Sequence, residues 1–394
     1  MAMLKKTAAA IVLAFTVLTA CSSPQSGQTS GNETTSESAA SKSAQGVSVT
    51  DVLGRTVQFD EHPQRIVLGE GRGVFATAIL DKEHPVDKVV ALGTDLATAA
   101  PSYHKNLLEA VPEAKEIPEI GSLSKGDVTV ENLVSLEPDV LVMTADHHKS
   151  ISTTGMLEKI EAAGIKYVVT DFRQHPLENT TKSMELLGAL FDKEEQAKKF
   201  NEDWTKTVDL VKERAAKAEK RPKTFLWRAA GLKDCCATVK ESNLGEMITL
   251  AGGDNLGDQL LEGEEGDVTA EKIVAEQPDI IIATGGSWAP DSEKPEVVPH
   301  VELGYEATKD VSEKTLEGLV ATPGFDQLKG DFHGVWHQFY DSPFNYLALE
   351  QFAVWLQPEL FSDLNPEEHL QQAHKEYLPF EASGVFFVSS PANK

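Results

Sequence analysis

Three arginines stand just beyond apolar runs that read as strands. Arg72 follows Ile66-Val67-Leu68 in the loop Gly69-Glu70-Gly71-Arg72-Gly73, Arg173 follows Val168-Val169-Thr170-Asp171-Phe172, and Arg228 follows Phe225-Leu226-Trp227. A guanidinium stays charged and offers a planar fork of donors, so three converging on one cleft would neutralise carboxylate, catecholate or hydroxamate oxygens. Aromatic residues hold comparable places: Tyr103, Trp227, Trp288, Trp336, Tyr340 and Tyr346, with Trp288 directly behind a strand. They would either wall a ligand site, stacking on planar or cationic groups, or fill the core. His147 and His148 occupy, behind an earlier strand, the place that Trp288 holds behind a later one. They read as solvated or ligand-contacting imidazoles, because no further carboxylate or histidine beside them has recognisable metal-ligand spacing. The Gly69–Gly73 loop is no dinucleotide fingerprint, since Val74 stands where a third glycine is needed. Cys235-Cys236 reads either as a vicinal disulfide that stiffens a turn or as a pair of inert buried thiols.

A scaffold that brings separate strand ends together is encoded in duplicate. Residues 126–144 read GDVTVENLVSLEPDVLVMT and residues 266–284 read GDVTAEKIVAEQPDIIIAT, matching without a gap at an offset of 140. A repeat of this length implies two related lobes. In each copy Thr129 or Thr269 caps a short helix, Pro138 or Pro278 ends it, and an Asp followed by four apolar residues makes a buried strand. Unbroken apolar runs indicate a sheet covered on both faces. Further runs at 65–68, 89–92, 167–169 and 224–227 alternate with helical patterns, the signature of an α/β fold. Between the lobes, 178–191 and 193–220 read as helices, the second with Ala197, Phe200, Trp204, Val208 and Val211 on one face and Pro222 as its stop. A helix of about 25 residues spans roughly 37 Å, enough to link the lobes. In open α/β sheets ligands bind beyond the carboxyl ends of the strands, where the three arginines lie.

The net charge of −26 favours solubility and weighs against nucleic acid as a partner, while leaving room for a locally basic cleft. Residues 1–20 carry Lys5 and Lys6 and then an apolar run too short to span a membrane, the pattern of a signal peptide. Residues 21–46 are small and polar and form a flexible tether. The remaining chain, roughly 350 residues, suits about two domains: an N-terminal α/β lobe at 47–177, a helical linker at 178–220 and a C-terminal α/β lobe at 221–394. Beyond Cys21 only Cys235 and Cys236 remain, so there is neither a disulfide framework nor a cysteine metal knuckle.

Leu18-Thr19-Ala20-Cys21 resembles the bacterial lipoprotein signal, which implies that Cys21 is acylated and anchors the mature chain to the outside of the cell membrane. With the tether, the two α/β lobes, the helical bridge and the paired E-x-h-x-x-x-x-P-D-h-h-h units, the chain resembles the helical-backbone class of ABC-transporter solute-binding proteins. That class carries ferric siderophores, haem or cobalamin. The resemblance covers about residues 47–380, and HGVWHQFYDSPFNYLALEQFAVWLQPELF is similar to the iron-complex branch. It implies two Rossmann-like lobes joined by a long rigid helix, the class III periplasmic-binding-protein fold, with little lobe closure and no catalysis. It also implies no cofactor beyond a ligand that carries Fe3+. In this family a glutamate at the tip of each lobe engages the permease, which places docking at Glu131 and Glu271; otherwise a carboxylate there complements its helix dipole, worth about 0.3–1 kcal/mol. The ligand expected is an anionic ferric siderophore bound by Arg72, Arg173 and Arg228 with Tyr103, Trp227, Trp288, Tyr340 and His147, handed to a permease driven by its ATPase. The alternatives are a haem carrier with a Tyr or His axial ligand, a secreted metal-dependent hydrolase, for which no compact His and carboxylate set is present, and a sensor that does not import.

Overall fold

The computed structural model describes residues 46–231, 235–288 and 300–390. The signal peptide, Cys21 and nearly all of the tether lie outside the described residues. Four strands, β1 (Ile66–Leu68), β2 (Val89–Leu92), β3 (Val140–Thr144) and β4 (Tyr167–Thr170), form a parallel sheet in the order β2-β1-β3-β4. A second sheet runs β9-β8-β7-β5-β6, from β5 (Lys223–Trp227), β6 (Asp254–Asn255), β7 (Ile280–Gly285), β8 (Asp331–Trp336) and β9 (Phe387–Ser390). Only the edge strand β9 is antiparallel to its neighbour. The inner strands are buried on both faces: Ile280 to Gly285 are all buried, as are Ile66 to Leu68. This is why their sequences run apolar without alternation. The fold is the two-sheet α/β architecture expected.

Helices α1 (Val74–Leu80), α2 (Val130–Ser135), α3 (Ala145–Ser152), α4 (Pro176–Phe191), α5 (Glu194–Ala215), α6 (Asn243–Leu250), α7 (Ala270–Glu276) and α8 (Asn345–Leu356) are those that position the site. The sequence repeat is a structural repeat in detail. Thr129 Oγ1 accepts Asn132 N–H at 3.2 Å and Thr269 Oγ1 accepts Lys272 N–H at 3.4 Å, capping α2 and α7. Glu137 and Gln277 end those helices at φ 46° and 48°. The Asp after each proline then fixes the start of the neighbouring strand: Asp139 Oδ2 accepts Arg65 N–H at 2.9 Å, and Asp279 Oδ2 accepts Lys223 N–H at 2.8 Å. The Pro-Asp pair is therefore a registration device for β1 and β5.

The bridge is a helical hairpin. Asp192 turns the chain at φ 60°, and a Cβ on Gly188 would lie 2.5 Å from that of Ala197, so α4 and α5 approach this closely only because residue 188 is glycine. Helix α5 has 22 residues, about 33 Å, and ends at Ala215, ahead of the expected stop at Pro222. It packs against α1 on one side and against α6 and α8 on the other. Trp204 Nε1 donates to Asn345 Oδ1 at 2.8 Å, and Asn345 Nδ2 donates to Thr180 Oγ1 at 2.8 Å, so one buried amide ties α4, α5 and α8 together.

Candidate ligand-binding site

The carboxyl ends of β1, β4 and β5 deliver Arg72, Arg173 and Arg228 to one place, and Tyr340 stands at its centre. Tyr340 lies in a short 3₁₀ helix, His337–Asp341, that leaves β8. Its phenolic oxygen accepts N–H from Arg72 Nη1 at 2.6 Å and from Arg173 Nη2 at 2.8 Å. The three guanidinium carbons lie 5.4, 4.8 and 5.7 Å from its ring centroid, for Arg72, Arg173 and Arg228 in turn, within cation–π range. The predicted convergence of the arginines is what the fold produces.

The three are not equivalent, and each is paired with at least one carboxylate. Arg72 is 8% exposed and lies in a basket of carboxylates: Glu70 Oε1 against Nη2, Asp341 Oδ2 at 3.1 Å from Nη2, and Asp95 Oδ2 at 2.8 Å from Nε. Asp95 also accepts Gly71 N–H at 2.6 Å. Residue 71 has to be glycine here, because a Cβ would sit 2.2 Å from Gly93 O. Burial works against the Arg72 charge, but Glu70, Tyr340, Asp341 and Asp95 hold its pKa well above the usual value. Burial pushes the Asp341 carboxyl up to about 6, with Glu70 adding to the rise and Arg72 and Arg173 opposing it. Glu70 belongs to the first lobe and Asp341 to the second, so Arg72 is a clasp between the lobes rather than an open ligand contact.

Arg173 and Arg228 face a cavity of about 480 Å³, in the range of small-ligand sites. The first lobe contributes Asp146, Lys149, Arg173 and Gln174, and the second Arg228, Ser242, Asn243, Glu264 and Glu265. Arg173 pairs with Asp146 at 2.8 Å and Arg228 with Glu265 at 3.1 Å. The Nε atoms of both arginines are buried without an acceptor. Asn243, in the left-handed region at φ 52°, sews the floor: its N–H donates to Gln174 O at 2.9 Å and its Nδ2 to Arg173 O at 2.9 Å. A wider groove of about 780 Å³ runs over the α4–α5 hairpin, but its polar lining is made of surface carboxylates and lysines. The strand-end cavity is the candidate site.

The aromatic candidates divide. Trp288 packs edge-on to His337, whose ring lies 4.3 Å from that of Tyr340, making a short ladder that leads to the arginines. His337 Nδ1 bonds Thr284 Oγ1 at 2.8 Å, and burial, then Arg228, Arg72 and Arg173, keep its pKa well below the ordinary imidazole range. His147 is also held down, first by burial, and its Nδ1 has no partner. His148 lies away from the arginines, beside Tyr167 at the start of β4. Tyr103 and Trp227 correct the expectation: Tyr103 is 1% exposed among Phe75, Tyr305 and Phe380, and Trp227 is 3% exposed against Phe325. Trp336 and Tyr346 are core as well. Trp227 is buried within its own lobe, whereas Tyr103 and Trp336 are buried where the lobes meet, against Tyr305 and Phe380 and against Phe75; a large ring gains more from such burial than it would at a wet rim. The residues that the sequence reading missed are the acidic partners, His337, Asn243 and Gln338, whose Oε1 accepts from Arg72 Nη1 at 3.3 Å. The signal for two of them was present, because His337 and Gln338 are polar residues inside a run that is otherwise apolar.

Among the described residues no group of three or more His, Cys, Asp or Glu is arranged to hold a bare metal ion. Cys235 and Cys236 are joined by a disulfide. It adjoins the arm of Arg228, since Arg228 N–H donates to Ala237 O at 2.8 Å. Glu131 and Glu271 are both exposed in the first turn of α2 and α7, as the repeat requires.

The family described as periplasmic binding protein matches residues 82–329, well over half of the chain. The chain belongs to that family. Individual members agree: this binding protein is 24% identical over 288 residues to the uncharacterized ABC transporter substrate-binding lipoprotein YvrC of Bacillus subtilis, covering 73% of this chain and 82% of YvrC. It shares 28% identity over 170 residues with the high-affinity heme uptake system protein IsdE of Staphylococcus aureus, 43% of this chain and 54% of IsdE, so the match spans about half of that relative. The crystal structure of the TroA-like periplasmic binding protein FepB from Veillonella parvula superposes with a TM-score of 0.77 at 27% identity, covering 87% of this chain and 99% of that one. This binding protein is thus a substrate-binding component of an ABC importer, with the class III fold of its family, and such components are not enzymes. No helix among its described residues is long and apolar enough to cross a membrane.

Proposed function

We propose that this binding protein captures an anionic iron complex of the ferric siderophore class outside the cell, tethered by lipid at Cys21, and presents it to an ABC permease. The observation that carries the reading is the pair Arg173 and Arg228 on opposite walls of a cavity of about 480 Å³, both against the Tyr340 ring. Two fixed cations on separate lobes suit a ligand whose oxygens are spread around a central ion, since each fork can take a different arm of the chelate. Trp288 stands two rings out from the arginines, edge-on to His337, which lies against Tyr340. Tryptophan quenching on titration with ferric tricatecholate, ferric citrate and a cationic ferric trihydroxamate tests it: the two anionic complexes bind and the cationic one does not.

The haem reading is supported by the neutral His337 and His147 imidazoles at the site and by the likeness to IsdE. A Soret band acquired on incubation with haem, with no quenching by siderophores, would transfer the proposal to haem.

The docking role of Glu131 and Glu271 rests on their matched exposure at the two repeat helices. Reversing both charges leaves ligand affinity at the wild-type value and lowers cellular uptake of radioactive iron complex at least tenfold, about 1.4 kcal/mol of lost contact. Uptake at the full rate by a double variant that still binds ligand would remove both residues from the permease interface.

A further inference from the structure

We infer that Asp146 and Glu265 select ligand charge by occupying Arg173 and Arg228 while the cleft is empty, so that an anionic ligand binds by displacing them. The inference rests on the anionic-ligand reading above. Its ground is an asymmetry within each ion pair. The arginines are the more buried partners, with side chains 20% and 18% exposed against 30% and 48% for the carboxylates, of which Asp146 is also held by Gln174 Nε2 and Glu265 is the freer. Arg173 is also fixed from behind by the Tyr340 hydroxyl and ring, so it stays in place when Asp146 leaves. Both Nε atoms are buried and lack an acceptor, so neither carboxylate satisfies its guanidinium fully. A ligand oxygen that reaches Nε as well as the terminal nitrogens forms the bidentate contact that the internal carboxylates leave incomplete.

Magnitudes agree with displacement. The Arg228–Glu265 pair, with its carboxylate 48% exposed, is worth about 1 kcal/mol or less, an obstacle that a single charge-assisted ligand contact, at roughly 1.5–3 kcal/mol, overcomes; the Arg173–Asp146 pair, more enclosed and tied to Gln174, is the higher of the two steps. Since Asp146 belongs to one lobe and Glu265 to the other, a ligand with one anionic group frees one arginine and leaves the second pair closed. A ligand with anionic groups spaced to meet both arginines frees both. The two carboxylates therefore act as a threshold against monoanions.

Asp146→Asn and Glu265→Gln, singly and together, titrated with ferric citrate by tryptophan quenching, test this. Each single change tightens binding about two- to fivefold, the displacement cost of one solvated pair. The gain from Asp146→Asn disappears in an Arg173→Ala background, and that from Glu265→Gln in an Arg228→Ala background. Unchanged affinity overturns the inference. Weaker binding overturns it too, since the carboxylates would then be touching a cationic part of the ligand. If the wild type binds no anionic iron complex, the reading under Proposed function fails separately, and an iron-free arm decides the inference. In that arm millimolar citrate raises the melting temperature of the double variant more than that of the wild type, and equal shifts overturn it.

Discussion

Replacing Arg72 by alanine lowers the folding stability of this protein by about 3–5 kcal/mol, the cost of stranding buried carboxylates without their cation. The loss exceeds that of an ordinary surface arginine because Glu70 and Asp341 sit on the same guanidinium nitrogen and are themselves buried. The sign of the pH dependence follows from Asp341, whose carboxyl is already raised to about 6 by burial and by Glu70. A carboxyl raised in the folded state gives stability that is present in acid and lost as pH rises through the folded value. Without Arg72 it rises further, so the gap between variant and wild type is small near pH 5 and opens above about pH 6. Guanidinium chloride unfolding at several pH values reads this directly. Adding Glu70→Gln and Asp341→Asn to the variant returns most of the loss by removing the stranded charges. A gap below about 1 kcal/mol at neutral pH, the scale of an exposed pair, would show that Arg72 is not a clasp.

Arg173→Ala and Arg228→Ala behave in the opposite way, with near-normal stability and a heavy loss of ligand. Each removes a charge-assisted contact worth about 1.5–3 kcal/mol, roughly ten- to more than a hundredfold in Kd for an anionic ferric complex. Their effect on unfolding is slight because the carboxylates they leave behind, Asp146 and Glu265, are partly solvated. Tryptophan quenching on the purified variants, with denaturant melts in parallel, separates the two classes of arginine. If both variants bind as the wild type does, or if a neutral or cationic complex binds best, the anionic reading is withdrawn and the carrier assignment stands on the family alone.

The architecture was legible in the sequence because its causes are local or periodic. Buried parallel strands announce themselves as apolar runs, and the offset of 140 residues relates two copies of one capped helix, turn and strand. The three arginines were legible because their position behind a strand is a local property. What surrounds them is not. Arg72 meets Tyr340 across 268 positions and Arg173 meets it across 167, so the clasp exists only once both lobes are folded. The acidic partners carry no local mark either, since a chain with 62 Asp and Glu offers many candidates. Trp227 shows the complementary failure: an aromatic residue at a strand end reads the same whether it faces the cleft or Phe325, and Tyr103, on the helix Pro101–Ala110, reads the same whether it faces the cleft or Phe75.

The bridge has a kinetic meaning. With α5 packed on α1 at one side and on α6 and α8 at the other, and with Asn345 pinning the hairpin, the two lobes share a stiff frame. Ligand entry then needs no large closing step, and the speed of capture is that of the encounter itself. An anion approaching a surface of net charge −26 is repelled at long range, and salt shortens that repulsion to about 10 Å at 0.1 M. Added salt therefore quickens arrival at the cleft while weakening the ionic grip within it, so the rates of arrival and escape both rise with ionic strength.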